Sequence, residues 1–144
     1  MKIIAKNKRA RFDYDITDTL TAGLILRGTE VKSVKDGSIS LKGSYIRFIN
    51  DVPHLTGAHI SPYAPAATQH EPERDRPLLL HKAEIARLRA AQNDGQHILP
   101  LAVGLVRNLV KLEIGLGTSR KKHDKREVLK RRDARRQIDR ALKR

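Results

Sequence analysis

The chain has 144 residues, enough for one core, or a smaller core with a tail, and too few for two full domains. Thirty Lys and Arg against 16 Asp and Glu leave a net charge of +14, which favours polyanions: nucleic acid first, an anionic membrane surface second. Cysteine is absent, which removes disulfides, thiolate metal sites and thiol nucleophiles, and no apolar run is long enough for a membrane span or a secretion signal, so a soluble cytoplasmic protein is expected.

Taken in chain order, residues 1–118 read mainly as strands. In "TLTAGLIL" Leu20, Leu24 and Leu26 fall on one side of a period-two pattern, and "GTEVKSVKDG" places a short helix between Gly28 and Gly37. "SISLKGSYIRFIN" and "VPHLTGAHI" read as two strands turning at Asn50-Asp51, with Gly43 as a bulge where the alternation slips. The Pro-rich, acidic "YAPAATQHEPERDRP" connects to "LLLHKAEIARLRAAQNDG", a helix with Ile85 and Leu88 three apart and Asn93-Asp94-Gly95 as its stop. "HILPLAVGLV" and "LVKLEIGLG" form a second hairpin about Arg107-Asn108, where Val110, Leu112, Ile114 and Leu116 alternate with Lys111 and Glu113. Tyr14 and Tyr45 read as core residues. The expectation is a mainly β fold, a small closed barrel of the oligonucleotide-binding type with two or three helices.

Residues 119–144 differ in kind. They hold 13 Lys and Arg and four acids, and their large apolar residues are only Val128, Leu129, Ile138 and Leu142. That is too little to bury a helical face, so the expected division is a core domain over 1–118 and a basic tail over 119–144, disordered when free. Glu127 with Arg131 and Asp139 with Lys143 are favourable i, i+4 pairs, while Arg131 with Arg135 and Arg132 with Arg136 repel, so the helical tendency is marginal. A nuclease would need a general base or a metal cluster; only His123-Asp124 suggests one, and a basic tail preorganises no site. A ribosomal protein with a basic extension shares this composition and is the stronger rival.

The stretches "NKRARFDY", "AGLILRGTEVKSVKDGSISLKGSYIR", "HISPY", "RPLLLHKAEI" and "KKHDKREVLKRRDARR" occur in an order that resembles the SsrA-binding protein (small protein B) family across nearly the whole chain. The resemblance implies a barrel that binds the tRNA-like part of transfer-messenger RNA and delivers it to stalled ribosomes, without catalysis or a cofactor. Carried over by motif, the RNA contacts are Asn7, Lys8, Arg9 and Arg11 of "NKRAR", Glu30 and Lys32 of "GTEVKS", and Leu79 and His81 of "LLLHK". Lys and Arg neutralise phosphates, Glu30 accepts hydrogen bonds from base amino groups, Asn7 or His81 donates to riboses and bases, and Leu79 offers an apolar surface.

The same resemblance sends the tail to small-subunit ribosomal RNA, at the decoding centre and then as a helix in the empty messenger-RNA channel. It implicates Lys121, Lys122, His123, Asp124, Lys125, Arg126, Lys130, Arg131 and Arg135. It also implies a monomer, with elongation factor Tu as a partner through the charged RNA and no membrane. Three positions depart from the usual pattern: Ser119-Arg120 before the basic residues of the tail, His123 for a common Tyr, and Pro77 for a basic residue.

Overall fold

Two tight turns organise much of the sheet. At Asn50-Asp51 φ is 49° and 64°, and at Arg107-Asn108 it is 49° and 68°. Two successive left-handed residues make the turn whose twist matches a two-residue hairpin. The first joins β4 (Tyr45–Ile49) to β5 (Val52–Thr56), and the second joins β8 (His97–Val106) to β9 (Leu109–Ser119), as the turn chemistry predicted. The computed structural model describes residues 1–120 and 122–142, without the side chains of residues 122–125, 139, 141 and 142.

The chain opens with β1 (Lys2–Lys6), a short helix α1 (Lys8–Asp13) and β2 (Tyr14–Leu24). Then come α2 (Gly28–Lys35), β3 (Ile39–Ser40), the β4–β5 hairpin, β6 (His59–Ile60), β7 (Arg76–Leu79) and α3 (Lys82–Asn93). Seven strands form one antiparallel sheet in the order β1-β8-β9-β2-β7-β5-β4, and β3 with β6 makes a separate pair. Leu20, Ala22, Leu55, Ile60, Leu88, Val103, Leu112 and Ile114 fill the core on one face of that sheet.

Several expectations are corrected. The barrel is not closed: the sheet curls far enough for β4 to approach β8, but no ladder joins β4 to β1. A register shift between Ile3 and Ala5 bends β1, and its outer edge has no partner strand among the described residues. Gly43, at φ 75°, is not a bulge but sits in the turn that separates β3 from β4. Tyr45 is 48% exposed rather than core, since Ile46 takes the inward position beside it. The ladder of β2 with β9 reaches Tyr14 opposite Ser119, and the Arg120 N–H donates to the Asp13 carbonyl at 2.8 Å.

Lys122–Leu142 form α4, which comes back against α1. Three contacts involve it. Arg131 approaches Glu127 at 3.9 Å, the Arg132 guanidinium lies 6.0 Å from the Phe12 ring centroid, and Leu129 shares a small cleft with Lys8, Arg9 and Phe12. The anchor is thin, with Leu129 45% and Ile138 59% exposed. Lys121 and the Asp139 pairing with Lys143 fall outside the described residues.

Candidate nucleic-acid interface

Period-two alternation sends the odd residues of β9 away from the core that Val110, Leu112 and Ile114 enter. On that outer face Gly23 of β2 stands opposite both Leu79 and Lys111, and Glu113 stands opposite Thr21 on one side and Ala102 on the other. Lys6 of β1 follows next to Ala102. The outer face therefore carries a continuous path from β7 across β2, β9 and β8 to β1.

One end of the path is a shallow cleft of about 350 Å³ lined by Thr21, Gly23, Leu79, His81, Glu84 and Lys111. Gly23 forms its floor: a Cβ there would stand 3.2 Å from the Leu79 Cβ and 3.7 Å from the Lys111 Nζ. Leu79 is 65% exposed while its neighbour Leu78 is buried, so the strand itself presents Leu79 outward. His81 is exposed at the start of α3, where its N–H donates to Glu84 Oε1 at 2.9 Å.

The other end is a cleft of about 530 Å³ whose lining includes Lys6, Asn7, Lys8, Arg11 and Glu113, together with Arg132 and Arg136 of α4. Arg11 donates to Glu113 at 3.0 Å, tying α1 to the sheet. Asn7 uses its backbone N–H on the Leu101 carbonyl at 2.7 Å and one amide N–H on the Pro100 carbonyl at 2.9 Å, so it holds the β1–α1 corner first and has one amide hydrogen left for a ligand. Arg9 pairs with Asp13 at 3.0 Å and lies 5.3 Å from the Phe12 ring centroid, with three quarters of its side chain exposed.

Glu30 and Lys32 are placed differently. Glu30 is fully buried. Its Oε1 accepts from Arg74 at 2.6 Å and from the Arg27 N–H at 2.8 Å, and its Oε2 accepts from the fully buried Arg76 at 2.6 Å. Burial pushes the Glu30 carboxyl up, but the hydrogen bonds from Arg74, the Arg27 backbone and Arg76 outweigh it and hold the group below its ordinary value. Arg76 also donates to the carbonyls of Ala58 and Pro72, so Glu30 fastens α2 to the 58–76 segment. His70 adds a second tie: its Nε2 meets the Ile60 carbonyl at 2.9 Å, which makes that nitrogen the donor, and its Nδ1 meets the Thr29 hydroxyl at 2.8 Å. Lys32 lies 5.4 Å from the Tyr63 ring centroid, and α2 contributes no side chain to either cleft of the path.

Of the residues expected to meet RNA, the fold therefore brings Asn7, Lys8, Arg11, Leu79 and His81 onto one path. Sequence reasoning missed Lys6, Thr21, Gly23, Lys111 and Glu113. The alternation in "LVKLEIGLG" did place Lys111 and Glu113 away from the core, but only strand pairing sets them between Leu79 and Arg11. Among the tail residues, Arg126, Lys130, Arg131 and Arg135 are exposed on α4, or nearly so, and the side chains of Lys122, His123, Asp124 and Lys125 lie outside the described residues.

The SmpB protein family model matches residues 4–144. The SsrA-binding protein of Enterococcus hirae is 48% identical over 144 residues, covering 99% of this chain and 94% of the relative, and that of Chloroflexus aggregans is 45% identical over 145 residues, covering 99% and 92%. A solved chain described as "tmRNA-SmpB: a journey to the center of the bacterial ribosome" superposes with a TM-score of 0.66 at 36% identity, over 86% of this chain and 92% of that one. Motif order, the mainly β fold and these likenesses agree: the chain belongs to the SmpB family of SsrA-binding proteins.

Proposed function

We propose that this chain binds the tRNA-like part of transfer-messenger RNA along the outer sheet face and delivers it to stalled ribosomes for trans-translation. The observation that carries the reading is the path itself. Residues 7, 8 and 11 and residues 79 and 81 are far apart in sequence, yet they occupy the two ends of one surface, with Lys6 at the first end and Lys111 at the second. Cations along the path neutralise phosphates, and the flat floor at Gly23 lets a base or ribose approach Leu79 and the Lys111 ammonium together. Five aromatics in the whole chain are too few for a stacking platform, so shape and phosphate contacts dominate.

In this reading the protein is a cytoplasmic monomer of a non-enzymatic RNA-binding family, and elongation factor Tu joins through the charged RNA. Residues 1–118 carry the RNA face and 119–144 act on the ribosome, where Lys121, Lys122, His123, Asp124, Lys125 and Arg126 meet the decoding centre and Lys130, Arg131 and Arg135 follow along the messenger-RNA channel. The departure at Pro77 removes one phosphate contact from β7, and the remaining cations share that work. The oligonucleotide-binding type of the fold belongs to the same reading, supported by a curled antiparallel sheet that offers its outer face.

Capture of the full chain from a bacterial lysate, followed by sequencing of the bound RNA, tests this. Transfer-messenger RNA should be the enriched species. Equal recovery of all ribosomal RNA from actively translating ribosomes would instead identify a structural ribosomal protein.

A further inference from the structure

The cleft between α1 and α4 has an unusual charge balance. Among the described residues its lining holds Lys6, Lys8 and Arg11 from the body and Arg132 and Arg136 from the tail, with Glu113 as the single acid, and Glu113 is already bonded to Arg11. Cations that line one cleft repel wherever they come within the screening length of about 8–10 Å. Against that repulsion α4 sets Leu129, the Arg132 contact with Phe12, and a small cleft in which Glu127, Val128 and Arg131 meet Asp15 and Arg120. An anion between the walls reverses the sign of the interaction. The cleft opens onto the outer sheet face, because Glu113 lines it and stands opposite Thr21, which lines the cleft at Leu79. Its volume of about 530 Å³ lies within the ~300–1,000 Å³ of ligand-sized clefts.

We infer that this cleft binds a stretch of RNA phosphodiester backbone, held by Lys6, Lys8 and Arg11 on one wall and by Arg132 and Arg136 on the other. RNA on the sheet face thereby fastens the tail helix to the body. The inference rests on the proposed RNA face and adds to it a second, earlier use of the tail. Arg132 and Arg136 hold the delivered RNA first and exchange those phosphates for ribosomal ones when the tail is withdrawn.

The chain has no cysteine, so Leu109→Cys with Ile138→Cys gives one label pair on two exposed positions outside the cleft. With the full chain and the tRNA-like fragment of transfer-messenger RNA, the label distance should narrow to its short value as RNA is added. Arg132→Gln with Arg136→Gln keeps good helix formers and should abolish that narrowing. It should also reduce the salt slope of binding by about 1.4–1.8, so that a fourfold rise in salt costs the variant about sevenfold to twelvefold less affinity than it costs the parent. A distance that lengthens or stays unchanged on adding RNA, or an unaltered slope, overturns the inference. Leu79→Ala in the same assay separates the two readings. If it weakens binding while the arginine pair does not, only the tail contact fails; if it has no effect, the sheet-face reading fails with it.

Discussion

The body and the tail carry cations in two different physical settings. On the body, Lys6, Arg11 and Lys111 stand on strands or on a helix tied to strands, and their positions are set by a ladder whose inward residues are nearly all buried. On α4 the arginines stand on a helix whose own apolar residues are largely exposed and whose contacts with the body are few. A rigid cation array suits a ligand of fixed shape, because little ordering cost is left at binding. A loosely held array suits a ligand met later and elsewhere, because little has to be broken before it moves. In the proposed function the same residue type serves recognition in one region and transfer in the other.

The largest effect should come from the tail, and on function alone. Replacing Asp124, Lys125 and Arg126 together by Ala should leave transfer-messenger RNA binding nearly unchanged while stopping tagging of stalled peptides, read in a reconstituted translation assay. Full tagging by this variant would break the contrast, since the tail would then have no separate task.

Next in size is a buried residue of the body. Glu30→Ala leaves the buried Arg76 uncompensated and should cost about 3–5 kcal/mol in denaturant unfolding, whereas Arg132→Ala on α4 should change stability by less than about 0.5 kcal/mol. The pH sign follows from the lowered Glu30 value. A carboxyl held below its unfolded value stabilises the fold above the ordinary carboxylate range, and that stability is lost as pH falls through the folded value. Acid unfolding of the parent should therefore be steeper than that of Glu30→Gln. Equal acid profiles would show that the Glu30 network contributes no linkage.

The smallest effect sharpens the body side. Leu79→Ala should weaken binding of the tRNA-like fragment about tenfold, or ~1.4 kcal/mol, and leave the melting temperature nearly unchanged because the side chain is mostly exposed. A loss of stability as large as that of affinity would return Leu79 to the core.

The sequence alone determined the local and periodic features: both hairpin turns, α2 and α3, the inward row of β9 and the change in charge at the tail. These depend on neighbours a few residues apart, where turn chemistry and alternation act directly. It left α1 unread because only Ala10 of that helix is buried, so no apolar stripe marks it, and it left β7 inside a Leu triplet that suits a strand or a helix equally. Only the tertiary structure decided that Leu79 faces out while Leu78 faces in, that β4 and β1 do not close the sheet, and that Glu30 is consumed by Arg74 and by Arg76 of β7, more than 40 residues away. It alone set Lys111 between Gly23 and Gly104, at the middle of the path. Each of these rests on which strands pair, and pairing is a long-range choice made by the whole core: a shift of one residue in register would send Lys111 inward and Leu112 to the surface.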